Sequence, residues 1–216
     1  MDVGTYVETA KTVLEKELVL PAGYSVAWAG QYEYMQRAKA KLGYVVPMTL
    51  AIIVILLYLA FRNLSEVLII IGTLPFAMIG GIWLLYVEGF NFSVAVGVGF
   101  IALAGVAVEI GVIMLVYLNQ AYRDLVGQEQ IKAKPTLDEL TKAVIAGAGL
   151  RVRPVVMTVA TVMIGLLPVM YGSGTGSEVM SRIAAPVIGG IASALILSLF
   201  VVPAIYLLWR KRELSL

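Results

Sequence analysis

Apolar residues run in five long blocks, at about Leu42–Phe61, Val67–Val87, Ser93–Asn119, Pro154–Tyr171 and Ile183–Trp209. Each is near or above the ~20 residues that a helix needs to cross a bilayer. The links Arg62–Glu66 and Glu88–Phe92 are short, so the pattern predicts that the first three helices run antiparallel. A longer polar link, Ala121–Arg153, separates the third block from the fourth. Within it, Thr136–Ala148 reads as an amphipathic surface helix. Pro135 and Thr136 start it, and Asp138 and Glu139 occupy its first turn, the usual chemistry of a helix N-terminus. Gly172–Gly176 is a glycine-rich link on the opposite side.

The front of the chain has a different period. Val3, Tyr6, Val7, Ala10, Val13, Leu14 and Leu18 recur at helical spacing over Asp2–Leu18. Leu20–Gly23 carries a turn signal. Tyr24–Gly30 alternates, with Tyr24, Val26 and Trp28 on one face, which predicts a strand. One helix and one strand bury no core by themselves. The expected fold is therefore mainly α: a polytopic bundle of five transmembrane helices with a small N-terminal α/β piece of a larger water-side domain. The expected domains are residues 1–41 for that piece and its lead-in helix, 42–209 for the bundle, and 210–216 for a tail.

Composition agrees with the pattern. The chain is 60% hydrophobic, with a mean hydropathy of +0.92, as integral membrane proteins are. Membrane lipid is thus an expected partner. A net charge of +2, with no basic run interleaved with aromatics, gives no reason to expect nucleic acid. The absence of cysteine and histidine excludes disulfides, thiolate metal sites and imidazole relays, and leaves nine methionines as the soft donors. No serine has a histidine to activate it, so hydrolase chemistry is unsupported. The opening MDVGTYVETAK has neither the basic nor the apolar region of a signal peptide.

Lysine and arginine set the expected orientation. One side gathers Arg62, Arg123, Lys132, Lys134, Lys142, Arg151, Arg153, Arg210, Lys211 and Arg212; the other short loops hold only Arg182. The first side is expected to be cytoplasmic, with the N-terminal segment outside and the C-terminus inside. Five basic residues before the first span point weakly the other way. They belong to a domain, and domains translocate largely regardless of charge.

The candidate chemistry lies in the third block, SVAVGVGFIALAGVAVEIGVIMLVYLN, where Glu109 is the acidic residue near the middle. A charged residue at the helix centre costs ~2.5–3.5 kcal/mol even on the mildest scale. The bland reading is a protonated carboxyl bonded to a neighbouring helix. The functional one is a group that takes and releases a proton as helices move. Ala102, Gly105 and Val106 form an approach face, and Ala107 and Gly111 make a pair at small-xxx-small spacing that lets another helix come close. Thr158 and Thr161 either bond back to their own helix or reach Glu109. Ala185, Gly189 and Ser193 read as a packing seam. Pro47, Pro75, Pro168, Pro186 and Pro203 are expected to kink their helices.

Several strings resemble the heavy-metal efflux branch of the resistance-nodulation-division (RND) transporters, most closely the copper/silver pumps of the CusA type. They are LPAGYSVAWAGQYEYMQRAKAKL, GVAVEIGVIMLVYLN, LRVRPVVMT, GLLPVMYGSGTGSEVMSRIAAPVIGG and SLFVVPAIYLLW. The resemblance runs from Asp2 to Trp209. It implies that the spans correspond to the family's eighth to twelfth membrane helices, and that residues 1–41 end a periplasmic porter region. It implies a proton relay role for Glu109 and a metal-passing role for Met180. Thioether sulfur suits monovalent copper and silver, the ions the resemblance implies as cargo; no cofactor is expected. The departure is Val155, where copper/silver members carry a lysine that partners proton transfer. The resemblance further implies a bacterial inner-membrane protein, a homotrimeric pump and coupling to a periplasmic adaptor and an outer-membrane channel.

The sequence thus predicts the C-terminal membrane portion of a proton-driven exporter of Cu(I) or Ag(I), and not a conventional enzyme. The alternative is a truncated, non-transporting membrane protein that serves in assembly or regulation. A channel has little support, because no ring of charged or carbonyl ligands is evident.

Overall fold

The computed structural model describes residues 3–18, 21, 23–128 and 135–214. It divides into two compact units, Met1–Ile55 and Leu56–Leu216. Among the described residues the secondary structure is helical throughout, and five helices are long and apolar enough to cross a membrane.

In the first unit, α1 spans Val3–Glu17 and α2 starts at Gln31, running to Phe61. They are tied through Tyr32, 8% exposed, whose hydroxyl accepts from Lys11 Nζ at 3.1 Å and Gln36 Nε2 at 2.8 Å. Of the expected turn, Leu20 and Ala22 lie outside the described residues. Pro21 and Gly23 lie within it: Tyr24 N–H donates to the Pro21 carbonyl at 3.2 Å, and Gly23 has φ +98°. The expected strand at Tyr24–Gly30, and with it the α/β character of the front piece, is corrected. Residues 24–29 form no ladder, and Gly30 turns with φ +86° into α2. Alternation alone does not make a strand. A strand needs a neighbour to pair its N–H and C=O groups, and the described residues supply none.

The second unit is a bundle around α6. Its helices are α3 (Leu64–Val87), α4 (Val94–Gln128), α5 (Leu137–Tyr171), α6 (Ser177–Ile196) and α7 (Val202–Leu214), with one π turn, Leu197–Val201, between α6 and α7. α6 packs on α3, α4 and α5, and α4 also packs on α3 and α5. Leu103, Ala107 and Ile110 of α4, Val155 and Val159 of α5, and Ala185, Ile188 and Ile191 of α6 share one core. Lipid is as apolar as these side chains, so association rests on close packing and interhelical hydrogen bonds. Gly80 and Gly189 supply the packing: a Cβ on Gly189 would collide with the Gly80 carbonyl and lie 2.7 Å from Leu84 Cβ. Ser193 supplies the bond, its Oγ donating to the Ala77 carbonyl at 2.9 Å. Of the seam Ala185–Gly189–Ser193, Gly189 and Ser193 thus make the contact of α6 with α3, and Ala185 is buried in the core.

Helix starts follow local chemistry. Asn63 caps α3, its side chain accepting from Ser65 N–H at 3.0 Å. This places Glu66 in the first turn of α3, although the hydropathy pattern puts it in a link. Thr136 and Glu139 form a reciprocal capping box, with Thr136 N–H donating to Glu139 Oε2 at 2.8 Å. The helix that opens there does not end at Ala148. It continues through Pro154 to Tyr171 as one 35-residue helix, because one proline removes a single backbone bond that neighbouring groups make up in a spanning helix. α6 starts after Gly176, whose φ of +88° suits glycine.

Candidate functional site

α4 has two faces. Val96, Phe100, Leu103, Ala107, Ile110, Met114 and Leu118 recur at helical spacing and are buried against α3, α5 and α6. The opposite stripe, Val98, Ala102, Gly105 and Glu109, is exposed. Glu109 therefore points out of the bundle that this chain builds. It lies 15 residues after Val94, or roughly 22 Å along the helix at 1.5 Å per residue. One turn before it, a Cβ on Gly105 would meet nothing within 4 Å. The stripe thus sets a carboxylate beside small residues, Ala102 and Gly105, with open space over Gly105. Ala107 and Gly111 serve the other side, where a Cβ on Gly111 would lie 3.6 Å from Thr73 Oγ1 of α3.

Among the described residues, the threonines, Val155 and Met180 do not converge on Glu109 through any hydrogen bond. Thr158 Oγ1 donates to the Pro154 carbonyl at 3.1 Å, and Thr161 Oγ1 to the Met157 carbonyl at 2.8 Å, so both bond back to α5. Val155 is 2% exposed and sits in the apolar core. Met180 lies in the first turn of α6 and is 54% exposed, next to the buried Ser181. Among the described residues, no group of three or more carboxylates gathers to hold a metal ion.

Sequence reading missed a polar cluster at the other end of these helices. Glu66 is 4% exposed. Asn119 Nδ2 donates to its Oε2 at 2.7 Å, and Arg210 Nη2 stands 3.6 Å from its Oε1. Tyr206 OH donates to Asn119 Oδ1 at 2.8 Å. Arg210 is stacked near Trp209 and Tyr122, with its guanidinium carbon 4.3 and 4.5 Å from the two ring centroids. The cluster clamps α3, α4 and α7 together with every buried polar group in it partnered. A signal existed: Glu66 and Arg210 are opposite charges at helix ends on the same side by the lysine and arginine count. The hydropathy pattern places one in a link and the other in the tail, and gives no sign that they pair.

The AcrB/AcrD/AcrF family matches the chain over residues 2–210. The chain is 52% identical over 215 residues to the cation efflux system protein CusA of Escherichia coli K12, covering 98% of this chain and 20% of that protein. It is 36% identical over 212 residues to the cobalt-zinc-cadmium resistance protein CzcA of Cupriavidus metallidurans, covering 98% of this chain and 19% of that protein. Among solved structures, that of a heavy metal efflux pump matches with a TM-score of 0.78 at 36% identity, covering 97% of this chain and 20% of the other. The chain spans about a fifth of the length of the curated relatives it matches.

Proposed function

Because this chain belongs to the AcrB/AcrD/AcrF family, we propose that it forms the C-terminal membrane portion of a proton-driven heavy-metal efflux transporter whose cargo is Cu(I) or Ag(I). The observation that carries the reading is the outward stripe of α4, with Glu109 one turn beyond the bare Gly105. A carboxylate facing lipid at this depth is costly. The same carboxylate facing a polar seam, made with helices of the longer protein, is where a proton can be held and passed on. Protonation then neutralises the site, lets the helices close, and ionisation opens them again.

In this reading Met180 hands the soft monovalent ion onward through its thioether sulfur. The residue is 54% exposed, which supports a side chain within reach of an ion. The copper/silver assignment is supported by GVAVEIG and GSEVMSR, and by the higher identity to CusA than to CzcA. The protein sits in the bacterial inner membrane as a homotrimer, working with a periplasmic adaptor and an outer-membrane channel. Residues 1–41 end a periplasmic porter domain, and the lysine- and arginine-rich ends, with the tail at 210–216, are cytoplasmic.

A second reading has one observation in its favour. Val155 is apolar and buried where the resemblance implies a lysine, which fits a non-transporting protein that aids assembly or regulation. Copper and silver tolerance in a pump-deleted strain separates the two. The first reading expects tolerance from the full-length pump carrying this segment, and its loss on deleting the segment. Equal tolerance with and without the segment supports the second.

A further inference from the structure

The middle of the bundle holds a cavity of about 10 Å³ between α3, α4 and the π turn of the last span. Its wall includes Thr73, Ala77, Gly111, Ala194, Ser198 and Val202. Two polar groups stand in an otherwise apolar wall. Ser198 is 2% exposed, and its buried hydroxyl has no hydrogen-bond partner among the described residues. Thr73 is 8% exposed; its hydroxyl donates to the Ile70 carbonyl at 2.6 Å, which leaves its lone pairs free to accept.

The backbone adds a third group. In the π turn, Val202 N–H donates to the Leu197 carbonyl. It is therefore diverted from Ser198, its partner in a regular α-helix. The π partner of the Ser198 carbonyl would be residue 203, which is proline and has no N–H. Ser198 thus carries both an unpaired hydroxyl and a carbonyl outside either helical pattern. Orphaned polar groups at such depth are costly, and π turns cluster at functional places.

We propose that this cavity is a binding site for one water molecule, held between Ser198 of the π turn and Thr73 of α3. A water needs roughly 10–15 Å³ of room by this measure and two to four polar partners. Here it accepts from the Ser198 hydroxyl and donates to Thr73 Oγ1 and to the Ser198 carbonyl. The bare Cα of Gly111, beside Thr73 Oγ1, keeps the room open. The water lets the last span carry a widened turn at membrane depth and ties that turn to α3.

Unfolding equilibria of the chain as it occurs in the cell, in lipid nanodiscs, test this with Ser198→Ala, Thr73→Val and the double variant. If one water bridges the two hydroxyls, each single change raises the unfolding constant about fivefold. The double change then raises it by about the same factor, not by the product. Single variants that are neutral or stabilising, or effects that multiply, overturn the proposal. A high-resolution density map of the unaltered protein is the second measurement. A peak within hydrogen-bond reach of both Ser198 Oγ and Thr73 Oγ1 supports the site, and a site without density in a map that resolves other buried waters overturns it.

Discussion

Asn119 Nδ2 donates to Glu66 Oε2 across 2.7 Å, joining the far end of α4 to the first turn of α3. The same amide accepts from Tyr206 OH through its oxygen at 2.8 Å, so one side chain holds three helices. Glu66 is nearly inaccessible, and a buried carboxylate that loses a partner is left with its desolvation uncompensated.

Asn119→Leu removes both bonds at once, together with the 3.4 Å bond that Arg210 Nη2 donates to Asn119 Oδ1, and is expected to destabilise the bundle by about 2–3 kcal/mol. Glu213→Ala is the control. It removes the 2.7 Å pair with Arg210 Nη1, but Glu213 is half exposed, and its loss is expected to matter by less than about 1 kcal/mol. Equilibrium unfolding in detergent measures both; equal effects would contradict the clamp.

Gly189→Ala is expected to destabilise by about 3 kcal/mol. The new methyl meets the Gly80 carbonyl, and neither backbone can withdraw without parting α3 from α6. Gly105→Ala, with nothing within 4 Å, is expected to leave the stability of this bundle unchanged. Melting temperatures of the two variants check the contrast.

Legibility differed by scale. The five apolar helices could be read from block length, and the small-residue seams from spacing, because both depend on local periodicity. Thr136 was readable as a helix start because capping is local chemistry. The strand at Tyr24–Gly30 was misread because alternation carries no information about a pairing partner. Thr136–Ala148 is not a separate helix, because the polar residues up to Arg153 mark only where the apolar block begins, and Pro154 interrupts one backbone bond without ending α5. Glu66, Asn119, Tyr206 and Arg210 stayed unread as a set because their pairing joins residues 53 to 144 positions apart. Glu109 was found by its charge within an apolar block, but which side of α4 it occupies depends on the faces that α3, α5 and α6 cover.

Met180→Leu keeps volume and removes the thioether. In a full-length pump carrying this segment, it is expected to reduce silver and copper tolerance severalfold, with membrane abundance unchanged. Growth inhibition in graded silver, alongside immunoblotting of membrane fractions, measures this. Unchanged tolerance at equal abundance would leave Met180 as a surface side chain without a part in transport.

The most direct measurement is metal-dependent proton flux in proteoliposomes carrying the full-length pump with Glu109→Gln. Glutamine preserves the shape of the outward face of α4 and cannot exchange a proton. Flux and metal export falling together to background, with the yield of reconstituted protein retained, is the predicted result. Export at the unaltered rate would contradict any role for this carboxylate in driving transport.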